Sequence, residues 1–317
     1  MIEEITDRGN GFMTWGVLLM AYGSARGRED VLRYYTHIRH GHTPTEAQLQ
    51  DLLSRYDAIG GVSPLFAITE REGQALQQEL DTRHGSGAFR VYLGMKHSSP
   101  FIAEAVRQMA HDGIKQAVGL VLAPHYSKMS VGTYMAEAEE AQSTLGPFEF
   151  RPILSWGTNA GLVEILSHRI EELRGRFSEA ERKNLPIIFS AHSLPERILR
   201  ENDPYPRELK ATGDLVAARL GTTHYTFSWQ SAGRTREPWM GPDILDKLTM
   251  MRQDGFRQAI ICPCGFVSDH LEVLYDLDIQ AQEHARTLGM HIERTPSLND
   301  DPAFISLLAD LVEAKAR

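Results

Sequence analysis

The sequence predicts an α/β fold made of two halves of similar design. Its 317 residues exceed what one hydrophobic core usually organises, so two domains are expected. Apolar runs at 16–21, 185–191 and 259–262 have the composition of strands buried in a parallel sheet. A segment that recurs in both parts of the chain indicates that the same design is used twice.

The recurring segment is ten residues long. Met109-x-x-Asp-Gly-Ile-x-Gln-Ala-Val returns as Met251-x-x-Asp-Gly-Phe-x-Gln-Ala-Ile. Each copy has the pattern of a helix end, a glycine turn and a buried strand, although such junctions also favour glycine by convergence. With a boundary near 146–155, the sequence predicts an N-terminal domain at 1–150 and a C-terminal domain at 151–317. Helices predicted at 159–177 and 301–317 are interpreted as scaffold.

The composition excludes several functional classes. The chain is 42% apolar and 24% charged, as in an ordinary soluble globular protein. Its net charge of −9 argues against general nucleic-acid binding, which requires a basic surface. The two cysteines, Cys262 and Cys264, are too few to ligate an iron–sulfur cluster, so no cluster is expected.

The N-terminal residues and the hydropathy pattern predict a cytoplasmic protein. Residues 1–13 are acidic and polar, without the basic and apolar regions of a signal peptide. No apolar run approaches the length of a membrane span, so no membrane insertion is expected.

A histidine follows the strand predicted at 185–191. His192 stands at the carboxyl end of this strand, and a proline and a helical pattern come after it. Ligands of parallel sheets bind at that edge, and imidazole titrates near neutrality, so a chemical role is one interpretation. A histidine that merely caps the next helix is the other.

A row of acidic residues follows the strand that begins at Ala259. Glu272 and Asp276 are four residues apart in a helical pattern and share one face, and Asp269 is expected one turn earlier. Carboxylates placed in this way repel one another unless a cation binds. The alternative is a solvated acidic helix face, but the row begins at the edge of the sheet where ligands bind.

The segment at 22–66 has the features of an anion site. Residues 22–42 carry four arginines, three histidines and only two acidic residues, with a tyrosine pair at Tyr34 and Tyr35. Ser63-Pro64 has the pattern of a helix start, where free N–H groups bind carboxylates. A flat, carboxylated ligand suits this segment, whereas a mixed-charge helix surface is the simpler alternative.

Several longer motifs in one order resemble those of the ferrochelatases, and of the soluble coproporphyrin branch in particular. The resemblance runs from about residue 16 to the C-terminus. Its motifs are Met-Ala-Tyr-Gly at 20–23, Tyr-Tyr-Thr-His-Ile-Arg at 34–39, Ser-Ala-His-Ser-Leu-Pro at 190–195, Trp-Gln-Ser at 229–231, Pro-Trp-Met-Gly-Pro at 238–242 and Asp-His-Leu-Glu at 269–272. It implies two similar Rossmann-like domains, each with a mainly parallel four-stranded sheet flanked by helices, and a porphyrin cleft between them.

The resemblance also implies an activity, the insertion of Fe2+ into coproporphyrin III. His192 is then the proton acceptor and metal-facing ligand, because imidazole accepts protons near neutrality and ligates Fe2+. Glu272 is its oxygen partner, and Asp276 continues the row as a route for the hydrated cation. Tyr22 approaches the metal from the opposite face of the porphyrin. Fe2+ is a substrate, and no cofactor is required.

The family's porphyrin contacts match five further positions of this chain. Two positions depart from the family pattern: His40 stands where that branch often has a second arginine, and Gln280 stands where an acid would extend the carboxylate row. The matching porphyrin contacts are Arg39, Arg55, Tyr56, Ser63 and Tyr134.

Three alternatives stay open at this point. The first is a protoporphyrin IX ferrochelatase, and the second is a related chelatase that uses cobalt or sirohydrochlorin. The third is a non-catalytic two-lobed tetrapyrrole-binding protein. The histidine–carboxylate pair counts against the last of these. Apart from porphyrin and ferrous iron, the expected partners are other heme-pathway enzymes in transient contact, and a monomer is expected.

Overall fold

The computed structural model describes residues 13–145, 148–233 and 235–317. Eight strands in these residues form two four-stranded sheets, and all their pairings are parallel. This confirms the predicted fold class. The absence of a signal peptide was predicted from residues 1–13, of which 1–12 lie outside the described residues.

The first sheet has the strand order β2-β1-β3-β4. Its strands are β1 (Trp15–Ala21), β2 (Phe89–Met95), β3 (Gln116–Val121) and β4 (Glu149–Ile153). The helices of this part are α1 (Val31–Ile38), α2 (Glu46–Ala58), α3 (Leu65–His84), α4 (Ile102–His111) and α5 (Val131–Ser143).

The second sheet repeats this order as β6-β5-β7-β8. Its strands are β5 (Ile187–His192), β6 (Tyr225–Gln230), β7 (Gln258–Cys262) and β8 (His291–Arg294). The α-helices are α6 (Ala160–Arg174), α7 (Glu179–Arg182), α8 (Arg197–Arg200), α9 (Tyr205–Arg219), α10 (Ile244–Gln253), α11 (Gln282–Thr287) and α12 (Pro302–Ala316). A π-helix, Val273–Ala281, runs directly into α11.

The repeated segment occupies equivalent places in the two sheets. Gly113 follows α4 with φ 78° and Gly255 follows α10 with φ 95°, a backbone conformation that favours glycine. The chain then enters β3 at Gln116 and β7 at Gln258, and each strand lies third in its sheet. The structure therefore confirms the local interpretation of both copies.

Both faces of each sheet are covered, which explains why the strands are apolar throughout. Val17 and Leu19 of β1 pack into one cluster, and Leu18 and Met20 pack into another on the opposite face. The first of these clusters also takes in Phe189 of β5, so the two halves share one hydrophobic core.

The predicted domain boundary falls within continuous structure. Residue 150 lies inside β4, which pairs with β3, and α12 from the end of the chain packs against α3, β3 and β4. Gly146, at the start of the predicted boundary region, lies outside the described residues. The division into 1–150 and 151–317 stays a prediction. Within the described ranges, no helix is long and apolar enough to cross a membrane.

Candidate active site

His192 is the last residue of β5, at the carboxyl edge of the second sheet. Its Nδ1 is hydrogen-bonded to the carbonyl oxygen of Ser193, and since a carbonyl only accepts, Nδ1 carries the proton. In the neutral ring Nε2 is therefore the basic nitrogen. The rings of Trp239 and Phe266 flank the imidazole at centroid distances of 6.3 and 6.4 Å.

Glu272 faces two imidazoles. Its Oε2 lies 3.6 Å from Nε2 of His192 and 3.6 Å from Nε2 of His270. His270 is oriented like His192, because its Nδ1 donates to the carbonyl oxygen of Ser268 at 2.9 Å. Oε2 of Glu272 thus faces two nitrogen lone pairs, and each contact is favourable when a proton lies between the nitrogen and the oxygen.

The electrostatics of the site follow from this pair. Burial opposes ionisation of Glu272, but His192 and His270 outweigh it and hold the pKa of the carboxyl well below its usual value. Burial likewise lowers the pKa of His192, but Glu272 and the Ser193 carbonyl outweigh it, so the net pKa lies above its ordinary value. The side chains of His192 and Glu272 remain 33% and 39% exposed, so solvent and solutes reach both groups.

Asp276 extends the site along the π-helix. The residue is 8% exposed, and its carboxyl accepts a hydrogen bond from Ser231 Oγ at 2.5 Å. Ser231 has φ 60°, an uncommon conformation for a residue other than glycine. Burial raises the pKa of Asp276 to about 6, although the Ser231 hydroxyl opposes the shift. The row predicted at Glu272 and Asp276 is present.

Asp269 does not belong to this row, so that part of the prediction was wrong. It precedes the helix, and its carboxyl accepts hydrogen bonds from Ser297 Oγ at 2.6 Å and Asn299 Nδ2 at 3.0 Å. Arg294 lies 3.4 Å away. These partners hold Asp269 in the loop before the site. Gln280 lies in the π-helix, further along the chain than Asp276.

Tyrosines of the first half face Glu272. Tyr22 follows β1, is 42% exposed and packs on His97 with a centroid distance of 4.5 Å. Burial, and then Glu272, raise the pKa of Tyr22. The same two causes, in the same order, raise the pKa of Tyr56 on α2 to about 12. Both phenols are therefore protonated at neutral pH and lie within electrostatic range of the carboxyl on the opposite half.

Arg55 also approaches the second half. Its guanidinium carbon lies 5.1 Å from the ring centroid of Tyr275 in the π-helix, and its positive charge opposes the rise in the pKa of Asp276. It forms an ion pair with Asp51 at 3.3 Å. The structure thus brings His192, Glu272 and the phenols of Tyr22 and Tyr56 to one place, with Arg55 beside Asp276.

The other predicted porphyrin contacts lie on the first half. Tyr134, on α5, is buried, and the ammonium of Lys96 sits 4.8 Å from its ring centroid. Ser63 is buried at the start of α3, where its Oγ accepts from Leu65 N at 3.4 Å. The helix begins at Leu65, one residue later than Ser63-Pro64 predicted.

Arg39 lies just after α1, beside a distorted turn. Its Nε donates to the carbonyl of His42 at 3.2 Å, and its guanidinium carbon lies 5.5 Å from the ring centroid of Tyr35. His40 has φ 54°. Among the described residues, no carboxylate forms an ion pair with Arg39, so its charge is available to an anionic ligand.

His270 and Ser231 were not predicted as site residues, and Tyr34 was predicted only as one of the tyrosine pair in the segment at 22–66. The phenol of Tyr34 donates to the carbonyl of Gly23 at 3.0 Å, and its pKa is raised well above the ordinary value by burial and then by Tyr22. His270 and Ser231 both belong to motifs recognised in the sequence, but their roles depend on contacts that spacing does not reveal. In the part of the chain that the structure describes, no three or more His, Cys, Asp or Glu side chains form a group able to hold a metal ion.

Comparison with known families identifies the group to which this arrangement belongs. The sequence profile of the family described as Ferrochelatase matches residues 14–316. The chain belongs to the ferrochelatase family. Its similarity therefore extends over both sheets and includes every predicted site residue.

Relatives of the chain are similar in length as well as sequence. The coproporphyrin III ferrochelatase of Anoxybacillus flavithermus is 45% identical over 298 residues, covering 94% of this chain and 95% of that protein. The coproporphyrin III ferrochelatase of Geobacillus kaustophilus is 43% identical over 300 residues, with 94% and 95% covered. That of Listeria monocytogenes is 41% identical over 301 residues, with 95% and 97% covered.

Solved structures show the same fold in a different chelatase. SirB from Bacillus subtilis with Fe3+ superposes with a TM-score of 0.61 at 12% identity, covering 96% of each chain. The sirohydrochlorin chelatase SirB from Bacillus subtilis subspecies spizizenii in complex with cobalt gives 0.59 at 10% identity, again with 96% of each chain covered. At these identities the likeness concerns the fold alone.

Proposed function

We propose that this protein inserts Fe2+ into coproporphyrin III, producing iron coproporphyrin III for heme biosynthesis. The observation that carries the proposal is the pair of His192 and Glu272 at the edge of one sheet, with the phenols of Tyr22 and Tyr56 facing it from the other half. The names of the relatives favour coproporphyrin III over protoporphyrin IX. The alternative of a cobalt or sirohydrochlorin chelatase is supported only by a likeness of fold.

His192 is the proton acceptor in this proposal. A free-base porphyrin carries two N–H protons at its centre, and the metal reaches the plane of the ring only after both have left. Nε2 of His192 is the nitrogen that is free to accept a proton, because Nδ1 is bound to the Ser193 carbonyl. It accepts one pyrrole proton at a time and releases the first to solvent before it accepts the second, since its side chain is 33% exposed. The imidazolium that forms is stabilised by Glu272, which is ionised at neutral pH because of the two imidazoles beside it.

The carboxylates carry the metal. Oε2 of Glu272 lies near both His192 and His270, so the ionised carboxylate stabilises the imidazolium of His192 and is also a candidate oxygen ligand for Fe2+. Asp276 lies in the π-helix, four residues after Glu272, and supplies an oxygen ligand on the route of the hydrated cation.

Tyr22 binds on the opposite side of the porphyrin. Its phenol is neutral at pH 7 because its pKa is raised, and Tyr22 lies just beyond the end of β1, where the charge of Glu272 acts on it. A phenol oxygen there approaches the inserted metal as an axial ligand. Holding the ring between Tyr22 and His192 also favours a bent macrocycle, whose strain is drawn from binding energy at the periphery.

Peripheral binding energy comes from groups that suit propionates. Arg39 and Arg55 supply charge, and Tyr56 and Tyr134 supply phenolic donors. Ser63 supplies a hydroxyl that donates to no acceptor within the described ranges. Coproporphyrin III carries four propionates and protoporphyrin IX only two. A site with several such groups suits the porphyrin with four propionates better.

The reaction as proposed requires no cofactor, and Fe2+ enters it as a substrate. Cys262 and Cys264 are both buried in or beside β7, and burial raises the pKa of each thiol, which disfavours the thiolate that a cluster needs. A cytoplasmic location, a monomeric state and transient contact with other heme-pathway enzymes remain predictions from the sequence.

The test is anaerobic metal insertion followed by absorbance. The purified protein is mixed with Fe2+ and, in separate reactions, with coproporphyrin III, protoporphyrin IX or sirohydrochlorin. The proposal expects the highest kcat/KM with coproporphyrin III. A higher kcat/KM with protoporphyrin IX or sirohydrochlorin would assign the protein to another branch, and binding of porphyrin without insertion would make it a binding protein.

A further inference from the structure

A carboxyl group is completely buried between the two halves. Glu72 lies on α3 of the first half and is 0% exposed. Its Oε1 accepts a hydrogen bond at 2.5 Å from Ser268 Oγ, which belongs to the second half. Its other oxygen, Oε2, is also buried and has no hydrogen-bond partner in the described part of the chain. A buried carboxyl that leaves one oxygen without a partner costs stability, so its retention calls for an explanation.

The surroundings keep Glu72 neutral under ordinary conditions. Burial raises the pKa of Glu72 to about 8, although the hydroxyls of Ser268 and Thr69 oppose the shift. The nearby charge of Asp300 raises this pKa further, and that of Arg71 lowers it. A neutral carboxyl both donates and accepts hydrogen bonds, as an amide does. Glutamine is therefore the substitution that best preserves its contacts.

Ser268 belongs to the loop that carries the site. Its backbone carbonyl accepts the hydrogen bond from Nδ1 of His270, the bond that directs Nε2 of His270 toward Glu272. Beyond Ser268 the loop is held by Asn299, whose Oδ1 accepts from the amide of Asp269 at 2.8 Å. Asn299 holds the loop from the second half, and Glu72 holds it from the first.

We propose that Glu72 is a positioning residue for the metal-insertion site: through Ser268 it fixes the carbonyl that orients His270 toward Glu272. The same helix begins beside Ser63, so the segment predicted to bind a propionate and the loop that orients His270 are tied to one rigid element. This inference rests on the proposed function, and it adds a residue that touches neither the metal nor the porphyrin.

The experiment compares three variants and one control. Glu72→Leu removes the hydrogen bond and keeps the volume, Ser268→Ala removes the same bond from the other side, and Glu72→Gln keeps a neutral group that donates and accepts. The control is Glu70→Leu, an exposed position on the same helix. Initial rates of metal insertion into coproporphyrin III give kcat and KM, and 15N shifts of the His270 ring give its tautomer.

The proposal expects a selective loss. Glu72→Leu and Ser268→Ala should each lower kcat by about ten- to a hundredfold with little change in the KM for porphyrin, because a misplaced site slows the chemical step. In both variants the His270 ring should lose its fixed Nδ1–H tautomer. Glu72→Gln and Glu70→Leu should retain both the rate and the tautomer. An additional variant that combines Glu72→Leu with Ser268→Ala should be no slower than the slower of the two single variants, because both changes remove the same hydrogen bond.

Other outcomes separate this proposal from the proposed function. Wild-type rates in Ser268→Ala, with an unchanged His270 tautomer, would overturn it even if Glu72→Leu fails to fold. A loss of thermal stability in Glu72→Leu with an unchanged kcat would also overturn it, because Glu72 would then be merely structural. If the wild-type protein inserts no metal, the proposed function fails, and the tautomer measurement still decides whether Glu72 orients His270.

Discussion

Nε2 of His192 and Oε2 of Glu272 lie 3.6 Å apart, although the two residues come from different segments of the second half. This separation is longer than that of a hydrogen bond, and the two atoms are a basic nitrogen and an oxygen of an ionised carboxylate. The raised pKa of His192 and the lowered pKa of Glu272 both express the same attraction. The pair is thus prepared to receive a proton or a cation, which are the two charges that metal insertion moves.

The first prediction is that His192→Ala abolishes metal insertion and leaves porphyrin binding nearly unchanged. The imidazole acts on the pyrrole protons and the metal, whereas the periphery of the porphyrin binds elsewhere. Insertion is followed by absorbance and binding by fluorescence quenching. His168→Ala, at an exposed helix position with a side chain 73% exposed, is the control and should behave as wild type. Near-normal turnover in His192→Ala would remove this residue from the mechanism.

The second prediction concerns Glu272→Gln, which keeps the shape of the side chain and removes its charge. The rate should fall severely, because the imidazolium of His192 loses its counter-ion and the metal loses an oxygen ligand. The pKa of His192 should also fall, since Glu272 is the group that raises it. An NMR titration of the His192 ring measures this shift. An unchanged pKa together with an unchanged kcat would contradict the assignment.

The third prediction concerns Asp276, whose pKa is about 6 because of burial. Below pH 6 the carboxyl takes up a proton and attracts the cation less, so the KM for Fe2+ should rise as the pH falls through 6 while kcat changes little. Asp276→Asn should show the high KM at every pH. The measurement is the dependence of rate on Fe2+ concentration between pH 5 and 8. Parallel pH dependence in the variant and the wild type would show that another group is responsible.

The sequence predicted the strands and their carboxyl edge because these depend on local patterns. Apolar runs, glycine turns and the residues just after each strand placed Tyr22, His192 and Glu272 correctly in relation to the sheets. These patterns located β5 and β7 in the second half. Both strands are buried on both faces, so each is a continuous apolar run that is easily recognised in the sequence.

The contacts that were missed are those between residues distant in sequence. Periodicity placed Asp269 on the helix, but its partners Ser297 and Asn299 come almost thirty residues later and hold it in a loop. The contact of Glu72 joins residues 196 positions apart. Such contacts leave no pattern in the sequence, because they are set by how distant segments of the chain pack.

The fourth prediction concerns acid stability and His125, which is buried beside Thr212 at 2.8 Å. Burial lowers the pKa of His125 to about 3, below the value of 6.5 expected in the unfolded chain. The unfolded state therefore binds the extra proton between these values, and stability is lost as the pH falls below 6.5. At pH 5 the loss from this group is about 2 kcal/mol.

His125→Gln should remove this loss, because glutamine also reaches Thr212 and does not titrate. Urea unfolding at pH 7 and pH 5 measures the free energy of unfolding in both proteins, and the exposed His168→Gln serves as the control. The variant should lose about 2 kcal/mol less than the wild type between the two pH values. Equal losses in the variant and the wild type would show that His125 is protonated in the folded state.

The last prediction concerns the choice of porphyrin. Arg39 has no carboxylate partner among the described residues, and Ser63 keeps a free hydroxyl proton, so both are suited to propionates. A charge-assisted hydrogen bond contributes roughly 1.5–3 kcal/mol, and each 1.4 kcal/mol is about tenfold in affinity. Because exposure weakens each contact, the two propionates that protoporphyrin IX lacks should together favour coproporphyrin III on the order of a hundredfold in kcat/KM.

Arg39→Ala and Ser63→Ala should narrow this preference, because each removes a group that binds a propionate of coproporphyrin III. The rate with protoporphyrin IX should fall less, since it has fewer propionates to lose. Arg33→Ala is the matched control, as Arg33 lies on α1, the helix that ends just before Arg39, with a side chain 83% exposed. Steady-state kinetics with both porphyrins measure the ratio. If the ratio of kcat/KM for coproporphyrin III to that for protoporphyrin IX falls as much in Arg33→Ala as in Arg39→Ala, the prediction is contradicted. General positive charge, rather than a propionate site at Arg39, would then select the substrate with four propionates.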